Sequence, residues 1–160
     1  RNIHISFKPD GKVNRAFADG LEITEAIRST AVTDAVSKVA ALGAVRAAMV
    51  AQQRRLGQEG NVVLDGRDIG TVVFPQAGCK IFLTASVAER ARRRYEELKA
   101  KGQPVDLEQI KHDIEVRDKK DSERALAPLK QAEDAVLVDT SAMTVTQVVA
   151  AILKLVRERQ

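Results

Sequence analysis

Aromatic residues are scarce: the 160-residue sequence holds four Phe, one Tyr and no Trp. Proteins that grip single-stranded nucleic acid stack successive bases on such rings, so the formal charge of +4 does not by itself make a nucleic-acid binder. The charges are also mixed in sign along the C-terminal half, where a nucleic-acid footprint would cluster one sign. Cysteine is scarcer still. The single Cys79 excludes an internal disulfide and fits a reducing compartment, so a cytoplasmic location is expected. With one Cys, and with His4 and His112 far apart, no zinc-ligand spacing exists and no metal site is expected in this chain. No apolar run is long enough to span a membrane, and no signal-peptide pattern opens the sequence. It starts at Arg1 rather than Met, which sets the expectation that a segment precedes it.

What is present is an ordinary apolar supply, 44% of residues, on a length that suits one domain. Residues 1–24 read as a small antiparallel meander. Asn2-Ile3-His4-Ile5-Ser6-Phe7 alternates polar and apolar side chains, Pro9-Asp10-Gly11 and Asp19-Gly20 are turn signals, and residues 13–17 resume the alternation. From Thr24 to Leu56 the period becomes helical. Val32, Val36 and Val39 recur on one helix, Leu42-Gly43 breaks it, and Val45, Met49, Val50 and Leu56 continue on a second. Three short apolar runs follow, Val62-Val63-Leu64, Lys80-Ile81-Phe82-Leu83 and Ala135-Val136-Leu137-Val138-Asp139, as parallel strands buried on two faces would show. Between the last two lie a helix with Ser86 and Glu89 as a capping box, a break at Gly102-Gln103-Pro104, and a second helix from about Asp106 towards Arg124. A last helix from about Thr146 to Arg159 is expected to turn Val148, Val149, Ile152, Leu153 and Val156 to the sheet. The fold class is α/β with a small antiparallel insert at the front.

The string Val62-Val63-Leu64-Asp65-Gly66-Arg67-Asp68-Ile69-Gly70-Thr71-Val72-Val73-Phe74-Pro75 is the most specific feature. An apolar run stops at two charges of opposite sign, which places them at a strand's carboxyl end, where open α/β sheets bind ligands. Arg67 offers a planar fork of donors for phosphate, and Asp68 an acceptor for an amino group or a sugar hydroxyl. Alone, the string reads equally as a strand ending in a polar turn. Downstream, Arg90, Arg92, Arg93 and Arg94 crowd the start of the Ser86 helix, partly balanced by Glu89, Glu96 and Glu97. A solvated face explains any one of them, and polyphosphate contact better explains the group. Arg117, Asp121 and Arg124, at i, i+4 and i+7, share one helix face, as ion pairs or as a phosphate and sugar clamp. Ser37 and Arg46, taken alone, are ordinary helix residues.

Taken in order, the Asp65–Pro75 string, Lys80-Ile81-Phe82-Leu83-Thr84-Ala85, Glu89-Arg90-Ala91-Arg92-Arg93-Arg94, Arg117-Asp118 and Arg124-Ala125-Leu126-Ala127-Pro128-Leu129 resemble bacterial-type cytidylate kinases across essentially the whole chain. The resemblance implies a P-loop nucleoside monophosphate kinase fold. Residues 1–56 would be the insert that binds the monophosphate, and residues 57–160 the C-terminal part of the kinase core, with a lid over about 92–113. It implies ATP-dependent phosphorylation of CMP and dCMP to CDP and dCDP, with Mg2+, by a cytoplasmic monomer whose partners are small nucleotides rather than nucleic acid or membrane. Arg67 and Arg124 would hold the phosphate of the monophosphate, and Ser37, Arg46 and Asp68 would read cytosine. Arg117 and Asp121 would hold the ribose. Arg93 and Arg94 would approach the ATP phosphates and the transferring phosphoryl group, acting with Arg124 as the catalytic set. Lys119, Lys120, Ser122 and Glu123 fill family-variable positions.

One family element is not in the sequence: no G-x-x-x-x-G-K-[ST] occurs. In the family's sheet, of order 2-3-1-4-5, the strand before that loop lies between the Asp65 and Lys80 strands. The expectation is therefore the C-terminal two-thirds of a kinase, inactive alone and lacking its N-terminal strand. The competing readings are a non-catalytic nucleotide-binding module, which a chain without a P-loop literally describes, and a basic RNA-binding domain, disfavoured by the lack of aromatics.

Overall fold

The computed structural model describes residues 3–11, 13–58 and 60–159, without the side chains of Thr30, Asp34 and Ser37. The chain divides into two compact units, Arg1–Gly60 and Asn61–Gln160.

In the first unit an Asp-Gly pair makes the second hairpin. Asp19 and Gly20 both hold positive φ, 49° and 82°, as a two-residue turn matched to strand twist requires. They join β2 (Val13–Ala18) to β3 (Leu21–Glu22), while β1 (Ile5–Asp10) pairs antiparallel with β2 in the register Ile5↔Ala18, giving the order β1-β2-β3. Thr24 locks the end of the meander: its hydroxyl accepts from the Ala16 N–H at 2.9 Å and donates to Glu22, and Ala16 and Thr24 are both buried. Two helices follow, α1 (Thr30–Ala40), capped by Ser29, and α2 (Gly43–Gly57), separated at Leu42 as the sequence predicts. Val32, Val36 and Val39 are exposed despite their helical spacing.

The second unit is built on a parallel pair, β4 (Ile81–Thr84) and β5 (Val136–Asp139), in the register Ile81↔Val136. Parallel strands need a long crossover, and this one contains α3 (Val87–Ala100) and α4 (Leu107–Glu123), followed after β5 by α5 (Val145–Arg157). A complete Schellman cap ends α3. Gly102 takes φ +70, its N–H donates to the Lys99 carbonyl, and the Gln103 N–H donates to the Leu98 carbonyl.

Four expectations are corrected. Val62-Val63-Leu64 is not a strand: it joins no ladder among the described residues, and Val63 is 97% exposed. A strand exists only through a partner, and none pairs with this run. Burial of the strands on two faces is likewise incomplete, for Leu83 and Leu137 are exposed. The Ser86 capping box is only half made. Ser86 Oγ accepts from the Glu89 N–H, but Glu89 turns its carboxylate to Arg92 and Arg93, and the Ser86 N–H donates to Ser141 Oγ at 2.8 Å. The reciprocal box instead appears on α5, between Thr144 and Gln147; there Val148, Ile152 and Val156 are half-buried, but Val149 and Leu153 are exposed. The helix predicted from about Asp106 towards Arg124 is present as α4, with Asp106 as its N-cap and Arg124, extended at ψ 139, as its C-cap.

Candidate functional site

Two carboxylates and three arginines meet at the C-terminal end of α4. Asp121 is the only buried residue of that helix among those described, at 6% exposure. Arg67 donates from Nε to its Oδ2 at 3.1 Å, although 54 residues separate them in sequence. Arg117 Nε stands 3.9 Å from the same oxygen, and Arg124 Nη1 stands 3.9 Å from Oδ1. Arg124 also faces buried Asp68, Nη2 to Oδ1 at 3.7 Å, so the end of α4 is joined electrostatically to the loop that carries Asp68. Its Nε donates to the Ala127 carbonyl at 2.5 Å, and the Leu129 N–H donates to the Asp121 carbonyl. These bonds fold the segment after α4 back on the site. Arg124 thus meets Asp121 although it lies outside the helix.

Three guanidinium groups against two carboxylates leave the cluster with one net positive charge. Its donors are not exhausted. Arg117 Nε and Arg124 Nη2 are buried and have no hydrogen-bond partner among the described residues. Desolvated N–H groups without acceptors are costly, and an anion entering the cluster supplies acceptors.

Arg67 and Asp68 reach this place through an irregular segment. Ile69–Val73 forms a π-helical turn, in which the Val73 N–H donates to the Asp68 carbonyl and the Phe74 N–H to the Ile69 carbonyl. Such wide turns are rare and concentrate at functional sites. Buried Lys80 anchors the segment. Its Nζ donates to the Pro75 carbonyl at 2.5 Å and pairs with Asp134 at 2.5 Å, which holds the Asp134 carboxyl below the usual carboxylate range. The lysine stem packs on Gly70, where an added Cβ would lie 3.2 Å from Lys80 Cδ, so the glycine is there for close approach. The sequence gives no direct signal for Lys80, since an ordinary strand can begin with lysine.

The α3 arginines are engaged differently. Arg90 forms a two-point pair with Asp118, at 3.0 and 2.6 Å. Arg92 and Arg93 share Glu89, whose carboxyl is lowered to about 2, first by the Arg92 hydrogen bond and then by that of Arg93. Arg93 also donates to Thr140 Oγ1 and to the Thr140 and Met143 carbonyls, at 3.2, 2.6 and 3.5 Å. Arg94 pairs with Glu97, three residues on, which also takes Lys101. In the first unit, half-buried Arg46 reaches back to the Ala40 carbonyl at 3.4 Å. The Ser37 side chain lies outside the described residues.

A family model described as cytidylate kinase matches residues 1–158. The chain is 54% identical over 156 residues to the cytidylate kinase of Anoxybacillus flavithermus, covering 98% of this chain and 69% of that one. It is 53% identical over 149 residues to that of Lactococcus lactis subsp. cremoris, covering 92% and 67%. With the cytidylate kinase of Limosilactobacillus reuteri the identity is 50% over 161 residues, 100% of this chain and 71% of that one. On this evidence of sequence, carried across both units, the chain belongs to the cytidylate kinase family.

Proposed function

We infer that this chain carries the acceptor-nucleotide site of a kinase that transfers a phosphoryl group from ATP to CMP or dCMP. The observation that supports this best is the Asp121 cluster, which is net positive, built on the buried Asp121 and Asp68, and supplied with arginine donors on Arg117 and Arg124 that have no partner among the described residues. A phosphate dianion offers those donors the acceptors they lack. Arg67 and Arg124 are proposed to hold the CMP phosphate, and Arg117 and Asp121 the ribose. Asp68 is proposed to accept from the cytosine amino group. For Ser37 and Arg46, also assigned to cytosine, the support is family resemblance.

The reaction on this reading is in-line. An oxygen of the CMP phosphate forms the new bond to the γ-phosphorus of ATP, the β,γ-bridging bond breaks, and ADP leaves. No general base is required, because the phosphate monoester is already ionised near neutral pH. The protein's part is positioning and charge neutralisation, with Arg94 the freer candidate for the transferring group and Arg93 more firmly tied. Mg2+ supplies charge neutralisation when bound with ATP. Among the described residues no three His, Cys, Asp or Glu side chains gather as a metal site.

We further propose that the Val62-Val63-Leu64 run and the edge of β4 away from β5, neither of which pairs with a strand among the described residues, both pair with a strand outside these 160 residues, completing the sheet of a P-loop nucleoside monophosphate kinase. The exposure of Val63 and the β4–β5 pairing support this. The 160 residues alone, lacking a P-loop, are expected to transfer no phosphoryl group. The enzyme is proposed to act as a monomer in the cytoplasm. The deciding experiment is a coupled assay of ADP formation by the complete reading frame with CMP, UMP, AMP and GMP. CMP should be turned over fastest, and preferential use of AMP or GMP would overturn the assignment.

A further inference from the structure

α4 carries Arg117 and Asp121, yet it buries no apolar side chain among its described residues; Asp121 alone is buried. Ile110 and Ile114 are only half-buried on this helix, so apolar contact leaves part of its setting against α3 to polar groups. A charged clamp stands at that seam. Arg90, near the start of α3, directs both terminal nitrogens at the two oxygens of Asp118, at 3.0 and 2.6 Å, and its Nε donates to the Ala85 carbonyl at 3.0 Å. Ala85 is buried just beyond the end of β4. One guanidinium thus joins the sheet, α3 and α4. The fork-to-fork geometry fixes both direction and distance, which a single-point ammonium contact cannot do. Asp118 follows Arg117 directly and precedes Asp121 by three residues, so a change in the pairing would move both.

We propose that Arg90 and Asp118 are positioning residues for the acceptor nucleotide, holding α4 so that Arg117, Asp121 and the adjoining Arg124 meet Arg67 and Asp68. This rests on the function proposed above. Neither residue contacts the nucleotide on that reading; they act through the helix.

The test uses the complete kinase and compares the parent with Asp118→Asn, Arg90→Lys, Arg90→Asp and the exchanged pair Arg90→Asp/Asp118→Arg. Small displacements of binding groups have large kinetic effects, so Asp118→Asn should raise the KM for CMP by about tenfold, with the KM for ATP changed less than about twofold. Arg90→Lys should lie between it and the parent. The exchanged pair should recover part of the CMP KM lost in Arg90→Asp. A general structural role would shift both KM values and the melting temperature together, and that result overturns the proposal. So does a CMP KM within twofold of the parent in Asp118→Asn. A nearly isosteric Asp118→Asn protein that fails to fold also overturns it, because the pair would then maintain the fold as a whole. A parent enzyme that does not phosphorylate CMP fails a different claim, the function itself, whatever the variants do.

Discussion

Around Asp121, three arginines stand in ion pairs of 3.1 to 3.9 Å, and two of them keep buried N–H donors without hydrogen-bond partners among the described residues. On α3, by contrast, Arg90, Arg92, Arg93 and Arg94 all donate to carboxylates within 3.0 Å. The same side chain serves both groups, and the partners decide its use. On α3 the carboxylates lie three or four residues away or on the facing helix, so nearby anions satisfy each arginine. The three arginines around Asp121 have two buried carboxylates between them, Asp121 and Asp68, and the shortage leaves capacity for an incoming anion. A crowded arginine run in a sequence therefore points less securely to a ligand than a sparse set with too few acceptors.

The largest expected effect breaks that contrast at its centre. In the complete enzyme, Arg124→Ala and Arg67→Ala should each weaken CMP binding by about 1.5–3 kcal/mol, roughly 10- to 150-fold, through loss of a charge-assisted contact. ATP binding should change little, which titration with each nucleotide separately would measure. Equal losses for both nucleotides would place these arginines on the donor side.

Base choice comes next. Uracil presents a carbonyl where cytosine presents an amino donor, so the Asp68 carboxylate should penalise UMP. Asp68→Asn, which can offer a donor, should narrow the CMP-to-UMP ratio of kcat/KM by about tenfold or more. A folded variant with an unchanged ratio removes Asp68 from base recognition.

The features legible in the sequence were those with local causes. Asp19-Gly20 specifies its hairpin, Ser86 and Gly102 mark the two ends of α3, and the Leu42-Gly43 break separates α1 from α2. What escaped depends on distant partners. Val62-Val63-Leu64 has strand composition but no ladder among the described residues, and Glu89 abandons its capping role because two arginines outcompete one backbone N–H. No periodicity announces the π-helical turn at Ile69–Val73. Helical spacing connects Arg117 to Asp121, but the arrival of Arg67 from 54 residues away was legible only through resemblance to a family. The Arg90–Asp118 clamp, across 28 residues, had no spacing signal at all.

Stability separates two adjacent members of the satisfied group. Arg93 ties α3 to Thr140 and Met143 beyond the end of β5, whereas Arg94 makes an exposed pair within its own helix. Arg93→Met should destabilise the protein by about 1–3 kcal/mol, since it removes several bonds to a charged donor. Arg94→Met should stay within about 0.5 kcal/mol of the parent, as exposed helix pairs contribute little. Urea titrations of the two variants compare them directly. A larger loss for Arg94 would reverse the assignment of anchor and free arginine.

The smallest effect lies in the acid limb of stability. The Glu89 carboxyl is lowered from 4.5 to about 2, chiefly by the Arg92 hydrogen bond and then by that of Arg93. Because the folded value lies below the unfolded one, the stabilising contribution is fully present above 4.5. As pH falls below that value the unfolded chain takes up its proton first, and the contribution drains away until about 2, where both forms are protonated. Glu89→Gln lacks this titration. The melting-temperature gap between parent and Glu89→Gln should therefore be widest near neutrality and shrink between pH 4.5 and 2. The exposure of its first partner, Arg92, whose side chain is 60% accessible, keeps the gap small and sensitive to salt. A gap that stays constant down to pH 2 would mean that the Arg92 and Arg93 contacts do not favour the charged carboxylate, and the α3 arginines would then have to be counted among those with donors to spare.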